Sequence, residues 1–461
     1  MQKVSFSFIL SAVASITGCV MDGADESTDD VELGSTSSEL GFSLPNNIWV
    51  ANSLGFSETF STAGRVDFGN EFFDEFGTND RTCGTCHKAT EGWTITPANT
   101  RLLFELTRGK DPLFRTNDGT NSPNADVSTV AARRRAYSML LTRGTIRVGL
   151  TIPAGANFEL LSVDDPYNFA SVTELSMFRR PLPAANLTGN ATVMWDGRVT
   201  GATLHDALKD QANGATQGHA AAPNPLNDVT RQQIVDFEVG LFNTQAYTWN
   251  IGVLDNGVAG RAEILASMPV EFSTTIPNVT ARRWDMFDGW KDSSDPDRRA
   301  VYRGQELFNT RPHVNDANGV PRPEFTCTNC HTQQNHGADI AGRFFNILDP
   351  VAKPLRRASD QPLYTFRYTG PNVVNAAGVI TTATGATVQV TDPGRALTTG
   401  KWADMAKFKV PNIRGLAGRA PYFHDGSAST LLELVKQYEQ FQGFVFTPAE
   451  EVDLVKFLSA L

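Results

Sequence analysis

Two copies of the pattern Cys-x-x-Cys-His, read as CGTCH and CTNCH, carry the clearest chemistry in this sequence. They use four of the five cysteines, and the residues are Cys83, Cys86, His87, Cys327, Cys330 and His331. The pattern is typical of covalent haem c attachment, in which the cysteines form thioethers and the histidine binds iron. A zinc site or two redox disulfides are alternatives, but neither requires a histidine directly after the second cysteine in both copies. The sequence therefore predicts two haem c groups, with His87 and His331 as the proximal ligands.

The second axial face of the first haem iron decides what that haem can do. No histidine follows His87 before His205. Met139, Met177 and Met194 are candidates to close this face, because methionine is a common axial ligand in electron-transfer haems. A closed iron predicts a di-haem electron carrier, and an open one predicts chemistry.

The N-terminus has the pattern of an export signal. Lys3 precedes an apolar run over residues 4–16, which is too short to span a bilayer in the mature protein. The letters ITGC end at Cys19 and are similar to the lipobox of bacterial lipoproteins. We therefore expect a signal peptide over 1–18 and a periplasmic protein whose membrane contact is a lipid anchor at Cys19. Val20 favours the outer membrane, and an ordinary secretory signal with an incidental cysteine is the alternative.

Composition excludes one class of partner and marks one disordered segment. The formal net charge of -10 argues against nucleic-acid binding through a broad basic surface. Residues 22–39 contain seven acidic residues and no lysine or arginine, among Ser, Thr and Gly. Such a segment cannot bury enough apolar surface to order itself, so we expect an acidic disordered tether over 19–45.

Helical patterns precede both motifs and follow each of them. Phenylalanines recur every four residues over 68–76, and one apolar face runs through RRAVYRGQELFN before the second motif. A third helix is predicted in TRQQIVDFEVGLF, with Thr230 and Gln233 as a capping box. A last helix is predicted in TPAEEVDLVKFLSAL, with Thr447 as the cap and Glu450 three residues later.

These elements predict the fold class and its division. We expect a mainly α fold with two cytochrome c-type haem domains, at 46–245 and 296–461, joined by a connecting segment at 246–295. Residues 93–180 form a long insertion in the first domain. The Thr-, Val- and Gly-rich stretch at 365–395 predicts a short β or irregular insertion in the second.

Three segments resemble a known family. They are MWDGR at 194–198, CTNCH at 327–331 and FKVPNIRGLAGRAPYFHDGSASTLLELV at 408–435. Together they resemble the bacterial di-haem cytochrome c peroxidases and their relative MauG, the di-haem enzyme of methylamine utilisation. The resemblance implies an oxidoreductase that reduces hydrogen peroxide at the N-terminal haem. Electrons from a small cytochrome c or cupredoxin would be relayed through the C-terminal haem.

Two other functions remain open beside the peroxidase. A MauG-like or rubber-oxygenase-like enzyme would use the same haem pair to oxidise a protein or organic substrate. A non-enzymatic di-haem electron carrier would have both irons closed.

The resemblance also implies residues around the first haem. The family commonly supplies a glutamine and a glutamate after WDGR; Gln211 takes the place of the glutamine, and no glutamate lies where one is expected. His219 is the nearest titratable substitute for a distal acid/base, although an exposed histidine in a Gly/Ala-rich segment is the alternative. Trp195 matches a tryptophan that relays charge between the haems, or is a core residue. Arg198 is expected to pair with a haem propionate.

Two residues compete for the second axial position of the second iron. The family's axial position lies seventeen residues after the proline of APYFHDG, which is Pro421, and the count reaches Tyr438. A tyrosine oxygen lowers the haem potential, as in MauG. Met405 is the alternative, because methionine is the usual partner in electron-transfer haems.

The resemblance allows a calcium ion between the domains, but cations in the corresponding segments oppose it. These cations are Arg179, Arg180 and Arg419. His424 is expected to be a structural part of its loop. The remaining histidines, His205, His313 and His336, are expected at the surface.

Overall fold

The computed structural model describes residues 42–255, 257–273, 283–312, 325–346, 360–376 and 379–461. The predicted signal peptide, Cys19 and most of the predicted tether lie outside the described residues, as does His313. None of the described helices has the length and apolar composition that a bilayer crossing needs.

The expectation of a mainly α fold is wrong. The structure is 33% helical and 19% strand, so the strands are a substantial part of it. The prediction followed helix patterns around the motifs and missed strands such as GFSETFS and LFNTQAYT. Polar and apolar residues of these strands are both buried, so the strands lack the alternation of apolar and polar residues that marks a half-buried strand.

The described residues form ten α-helices. They are α1 (Pro97–Thr107), α2 (Val130–Ala136), α3 (Ser138–Arg143), α4 (Leu204–His219), α5 (Asp228–Val239), α6 (Ala262–Ser267), α7 (Pro296–Thr310), α8 (Ala396–Thr399), α9 (Leu431–Gln442) and α10 (Pro448–Ser459).

The strands are numbered in the same way. They are β1 (Ser43–Pro45), β2 (Trp49–Asn52), β3 (Gly55–Ser61), β4 (Arg65–Asp67), β5 (Ile146–Leu150), β6 (Phe158–Asp164), β7 (Leu175–Arg179), β8 (Leu241–Thr248), β9 (Gly252–Val253), β10 (Phe344–Phe345), β11 (Leu363–Tyr368), β12 (Val373–Val374), β13 (Ile380–Thr382), β14 (Thr387–Val390) and β15 (Phe408–Lys409).

The two predicted insertions meet in one sheet. Strand β11 pairs antiparallel with β14 and, on its other side, with β6, in the order β14-β11-β6. Phe366 of β11 packs on Phe158 of β6 with ring centroids 5.5 Å apart. The stretch at 365–395, predicted as a short β or irregular insertion, contains strands, and these form a common core with the insertion at 93–180.

A four-stranded antiparallel sheet, in the order β2-β3-β8-β9, crosses the predicted boundary at residue 245. Strand β8 passes from the first predicted domain into the connecting segment, and its Thr244 hydroxyl donates to the carbonyl of Leu461, 2.8 Å away. The described residues between 42 and 461 belong to a single unit.

The helix predictions have mixed outcomes. Helix α10 begins as predicted, with Thr447 and Glu450 forming the capping box, and α7 covers RRAVYRGQELFN. Helix α5 begins earlier than predicted, because the side chain of Asn227, rather than Thr230, accepts the cap hydrogen bond. The phenylalanine repeat at 68–76 forms only a 3-10 turn at Glu71–Phe73, where all three rings turn into one core instead of along a helix.

Candidate functional site

Both Cys-x-x-Cys-His motifs adopt the same local structure. Each begins as a 3-10 turn, at Cys83–Thr85 and Cys327–Asn329, and each is capped by the threonine before it. In both motifs the histidine backbone N–H donates to the carbonyl of the first cysteine at 3.0 Å. Two segments far apart in the chain therefore present their cysteines and histidine in one geometry.

The two proximal histidines are also held alike. His87 Nδ1 lies 3.1 Å from the carbonyl oxygen of Trp93, and His331 Nδ1 lies 2.6 Å from that of Gly337. A carbonyl only accepts, so Nδ1 carries the proton and Nε2 keeps its lone pair. The turn that brings each carbonyl back needs positive φ at Trp93 (63°) and Gly337 (89°). This arrangement orients a metal-binding imidazole through its other nitrogen.

Burial favours the neutral, metal-binding form of both histidines. It lowers the pKa of His87 to about 4 and also lowers the pKa of His331. An aromatic ring packs at the same distance on each: the centroids of Phe72 and His87, and of Phe308 and His331, are 6.1 Å apart.

A large cavity adjoins each motif. The first cavity is lined by Cys83, Cys86 and His87. The second is lined by the corresponding residues of the second motif. Each motif therefore presents both cysteines and the histidine to one cavity.

The cysteines fit thioether attachment better than a metal-thiolate or redox site. All four are thiols rather than disulfides. Burial raises the pKa of Cys86 to about 11 and that of Cys327 to about 12, so neither thiol is the reactive thiolate that a redox disulfide site needs. Each pair faces a cavity, whereas structural zinc needs four ligands around one point.

The two cavities are separated by a shared wall. It is formed by residues of 180–183, Trp195 and residues of 409–412, which line both cavities.

The buried cationic side chains in this wall need an anion nearby. Arg180 bonds to three carbonyl oxygens, and Lys409 Nζ bonds to Asn190 Oδ1 at 2.8 Å and to the Thr192 carbonyl at 3.0 Å. Neither makes an ion pair with a described residue, and burial lowers the pKa of Lys409 to about 7.

Polar atoms without hydrogen-bond partners beside the second cavity also indicate a site for an anionic group. Among the described residues, no hydrogen-bond partner is found for Arg419 Nε or for either ring nitrogen of His424, and both residues line the cavity. Buried polar atoms without hydrogen-bond partners are costly, and haem propionates would supply acceptors for these nitrogens. The residues present therefore fit two haem c groups.

The predicted distal residues of the first haem lie on one face of α4. Gln211 and His219 are two helical turns apart, and both line the first cavity. His219 Nδ1 bonds to Asp118, a buried residue of the 93–180 insertion, and Asp118 also pairs with buried Arg81. Met194 lines the first cavity as well, whereas Met139 and Met177 lie in the core away from it.

Of the two candidates for the second axial position, the structure brings only Tyr438 to the second motif. Tyr438 lines the second cavity with Cys327, Cys330 and His331. Met405 is buried in the core beside β11 and lines neither cavity.

The helices that present Gln211 and Tyr438 are equivalent. Helix α4 is capped by Thr203 and α9 by Thr430, and each candidate lies eight residues after its cap. A similar turn precedes both helices, with positive φ at Met194 and Phe423, both 66°. The same frame therefore offers an amide to the first cavity and a phenol to the second.

Trp195 and His424 occupy equivalent places in these two turns and meet at the shared wall. Their ring centroids are 6.3 Å apart, and Trp195 Nε1 donates to the Arg180 carbonyl at 2.8 Å. Arg198 lines the first cavity and pairs with Asp196 at 3.0 Å. Arg179 pairs with Asp196 and Asp392, each at 2.6 Å.

The histidines outside the motifs differ from the prediction at one place. His205 is exposed as expected, but His336 is fully buried, with Nε2 3.1 Å from Thr188 Oγ1. It was predicted at the surface because nothing in its polar neighbourhood marks the turn that buries it.

No protein-family model matches this chain, and no curated protein sequence matches it. Among solved structures, one similar chain is that of a MauG-like protein associated with microbial copper homeostasis. It is 18% identical, the match covers 63% of this chain and 75% of that chain, and the TM-score is 0.30. The similarity is distant and carries no argument for fold or chemistry.

Sequence reasoning missed three groups at the cavities: Asp118, Glu238 and Lys409. Glu238 lines the first cavity, and burial raises its pKa to about 8. The FEVG segment does not predict that Glu238 is buried at a cavity, because its neighbours Phe237 and Val239 predict only a core helix. Lys409 lies within the FKVPN segment that carried the resemblance, and a buried lysine has no signature in one sequence.

Proposed function

We propose that this protein is a di-haem c-type oxidoreductase that reduces hydrogen peroxide at the N-terminal haem, with electrons relayed through the C-terminal haem. The observation that carries the proposal is the difference between two otherwise equivalent cavities. The first has Gln211 at the position where the second has Tyr438. A phenol is a known haem-iron ligand and an amide is not a usual one, so a bound haem would be open to peroxide beside Gln211 and closed by Tyr438.

The chain would hold each haem through the two cysteines and the histidine of one motif. Haem iron supplies a binding site for peroxide and a route for its two-electron reduction. Around the first cavity, His87 would be the proximal ligand and Gln211 a hydrogen-bond donor. His219 would hold or move a proton. Arg198, Lys409 and the neighbouring arginines would bind the propionates.

The chain also provides a path between the sites. Trp195 lines both cavities, and we assign it the relay between the haems. Tyr438 would be the axial ligand of the second iron. A small cytochrome c or cupredoxin is the proposed donor.

Haem content, the resting spectrum and turnover together test the proposal. Mass spectrometry of the mature protein should give two haems attached by four thioethers. The ferric protein should have high-spin bands from the first site, and peroxide should be consumed with a reduced donor. A fully low-spin spectrum with no peroxide consumption would instead identify an electron carrier, with Met194 as the residue to replace first.

A second candidate function is MauG-like oxidation of a protein or organic substrate. The observation that favours it is Tyr438 at the second cavity, because a phenolate ligand stabilises the oxidised iron and makes the second haem a poorer acceptor of donor electrons. Peroxide consumption that depends on an organic or protein reductant, and not on a reduced cytochrome, would favour this function.

The proposed location is the periplasm, with the chain anchored through lipid on Cys19. Replacing Cys19 with Ser should release the protein from the membrane fraction while leaving its haem content unchanged. A soluble wild-type protein would rule out the anchor.

A further inference from the structure

Beside the first cavity, a buried carboxylate from the long insertion holds the imidazole of His219. Asp118 lies in the loop between α1 and α2 and is 5% exposed. Its Oδ2 bonds to Nδ1 of His219, and its Oδ1 bonds to Nη1 of Arg81. Both oxygens are therefore engaged, one by the imidazole and one by a buried guanidinium.

Arg81 ties this loop to the haem-attachment segment. It lies two residues before Cys83 and is 2% exposed. Its Nε donates to the Pro112 carbonyl at 2.8 Å, and its Nη2 to the Leu113 carbonyl at 2.7 Å. The insertion is thus fixed against the start of the first motif, which leaves Asp118 little freedom to move away.

The end of α4 is held by this loop and by the segment before the first motif. The His219 carbonyl accepts from Asn79 Nδ2 at 2.8 Å and from Asn117 Nδ2 at 3.1 Å. The His219 side chain remains 39% exposed and lines the first cavity. No hydrogen bond to its Nε2 is found among the described residues.

We propose that Asp118, supported by Arg81, is a positioning residue that makes His219 the acid/base of the first cavity. This inference rests on the proposed peroxide chemistry. A carboxylate at Nδ1 selects the tautomer with the proton there, so Nε2 is the basic nitrogen, and it stabilises the imidazolium that forms when Nε2 takes a proton. Burial alone would raise the pKa of Asp118, but hydrogen bonds and charge from His219 and Arg81 hold it below its ordinary value, so the carboxylate stays ionised.

The proton transfers balance. Nε2 of His219 takes a proton from one oxygen of hydrogen peroxide and gives it to the other oxygen, which leaves as water when the O–O bond breaks. The remaining oxygen becomes a second water with two protons from solvent. The two electrons come from the reduced donor, so one peroxide, two electrons and two protons give two waters.

The test measures the rate of peroxide cleavage in the purified di-haem protein by rapid mixing. His219→Gln should slow cleavage by about 100-fold or more, the usual size of a general acid–base contribution. Asp118→Asn should slow it by about 10- to 100-fold. His205→Gln, on the exposed side of the same helix, is the control and should leave the rate unchanged.

The double variant separates positioning from a general structural role. If Asp118 acts through His219, Asp118→Asn adds no further loss in the His219→Gln background. Full additivity of the two losses would overturn the inference. A normal rate in His219→Gln would overturn it too, while leaving the peroxidase proposal intact.

A second readout does not depend on activity. In the reduced, carbon monoxide-bound protein labelled with 15N-histidine, seven imidazoles contribute, and His219→Gln identifies one of them by its loss. That signal should report a proton on Nδ1 in the wild type and should change tautomer population in Asp118→Asn. An unchanged tautomer would overturn the inference even if the protein had no peroxidase activity. The charged groups that contact this imidazole or its carboxylate partner are Asp118 and Arg81.

Discussion

The first and second cavities are built from equivalent elements, but different polar side chains line them. In both, a capped Cys-x-x-Cys-His turn presents a histidine whose Nδ1 bonds to a carbonyl six residues later. In both, a helix capped by threonine offers its eighth residue to the cavity, Gln211 in one and Tyr438 in the other. In the proposed di-haem protein, the repeated elements would hold the haems, and a few side chains placed on them would set the reactivity of each site.

The insertion at 93–180 adds to the difference in polar groups between the two cavities. It brings Asp118 to His219, which lines the first cavity. Asp74 and Glu238 line the first cavity themselves, whereas the described lining of the second contains no aspartate or glutamate. We infer that the first site is built for proton transfer and the second for electron transfer.

The largest expected effect comes from removing one attachment motif at a time. Replacing Cys83 and Cys86 with Ala should remove the first haem, and with it all peroxide consumption. Replacing Cys327 and Cys330 with Ala should leave the first haem able to bind peroxide or cyanide but without donor-driven turnover. Haem stoichiometry by mass spectrometry and cyanide titration measure both. Cyanide binding lost equally in both variants would contradict the division of roles.

Tyr438→Phe tests the axial ligand of the second cavity. Since the phenol is the proposed ligand, its loss should convert the whole low-spin signal of the second haem to high spin in electron paramagnetic resonance. Tyr302→Phe, in the same core but outside the cavity, is the matched control. If the spectrum is unchanged and Met405→Leu alters it, Met405 is the ligand and its place in the core must rearrange on haem binding.

Gln211→Tyr gives the first cavity the same residue type that the second has at Tyr438. If the two helical positions are equivalent, a tyrosine here should close the first iron and lower its affinity for cyanide by about 1000-fold, or about 4 kcal/mol. His205→Tyr places the same residue on the exposed face of α4 and should have no effect. A high-spin, cyanide-binding Gln211→Tyr protein would mean that α4 lies farther from its haem than α9 does.

Glu238 predicts a pH-dependent stability that is specific to the first cavity. Burial raises its pKa from 4.5 to about 8, so between these values the folded protein holds a proton that the unfolded chain does not. Stability therefore falls as pH rises from about 4.5 through 8, by roughly 5 kcal/mol at most. Glu238→Gln should match the wild type at pH 5 and exceed it by a few kcal/mol at pH 8 in urea unfolding.

Exposed Glu263→Gln is the control for this measurement and should follow the wild type at every pH. Parallel curves for Glu238→Gln and the wild type would show that the carboxyl is ionised in the folded protein and has a partner there.

The sequence was most informative where function needs adjacent residues. The motifs and the α10 cap at Thr447 depend on local patterns, and the structure has them at the predicted places. The stretch at 365–395, predicted as a short β or irregular insertion, contains paired strands. It was least informative where residues meet across the chain. Asp118 lies 101 positions from His219, and the mainly α prediction failed because β6 finds its partner β11 some 200 residues later. One sequence has no signal for such pairings.

The smallest expected effect concerns the shared wall between the two cavities. Trp195 lines both, and its indole N–H donates to the Arg180 carbonyl at 2.8 Å. Trp195→Phe keeps an aromatic ring but is harder to oxidise, so it should slow electron transfer between the haems by about tenfold, which is about 1.4 kcal/mol in barrier. Haem content and cyanide binding should be unchanged, and Trp249→Phe at the surface should have no effect. Stopped-flow reduction of the first haem through the second measures the rate. An unchanged rate would remove Trp195 from the path and direct attention to His424, whose ring stacks on Phe408 at 3.9 Å within the same wall region.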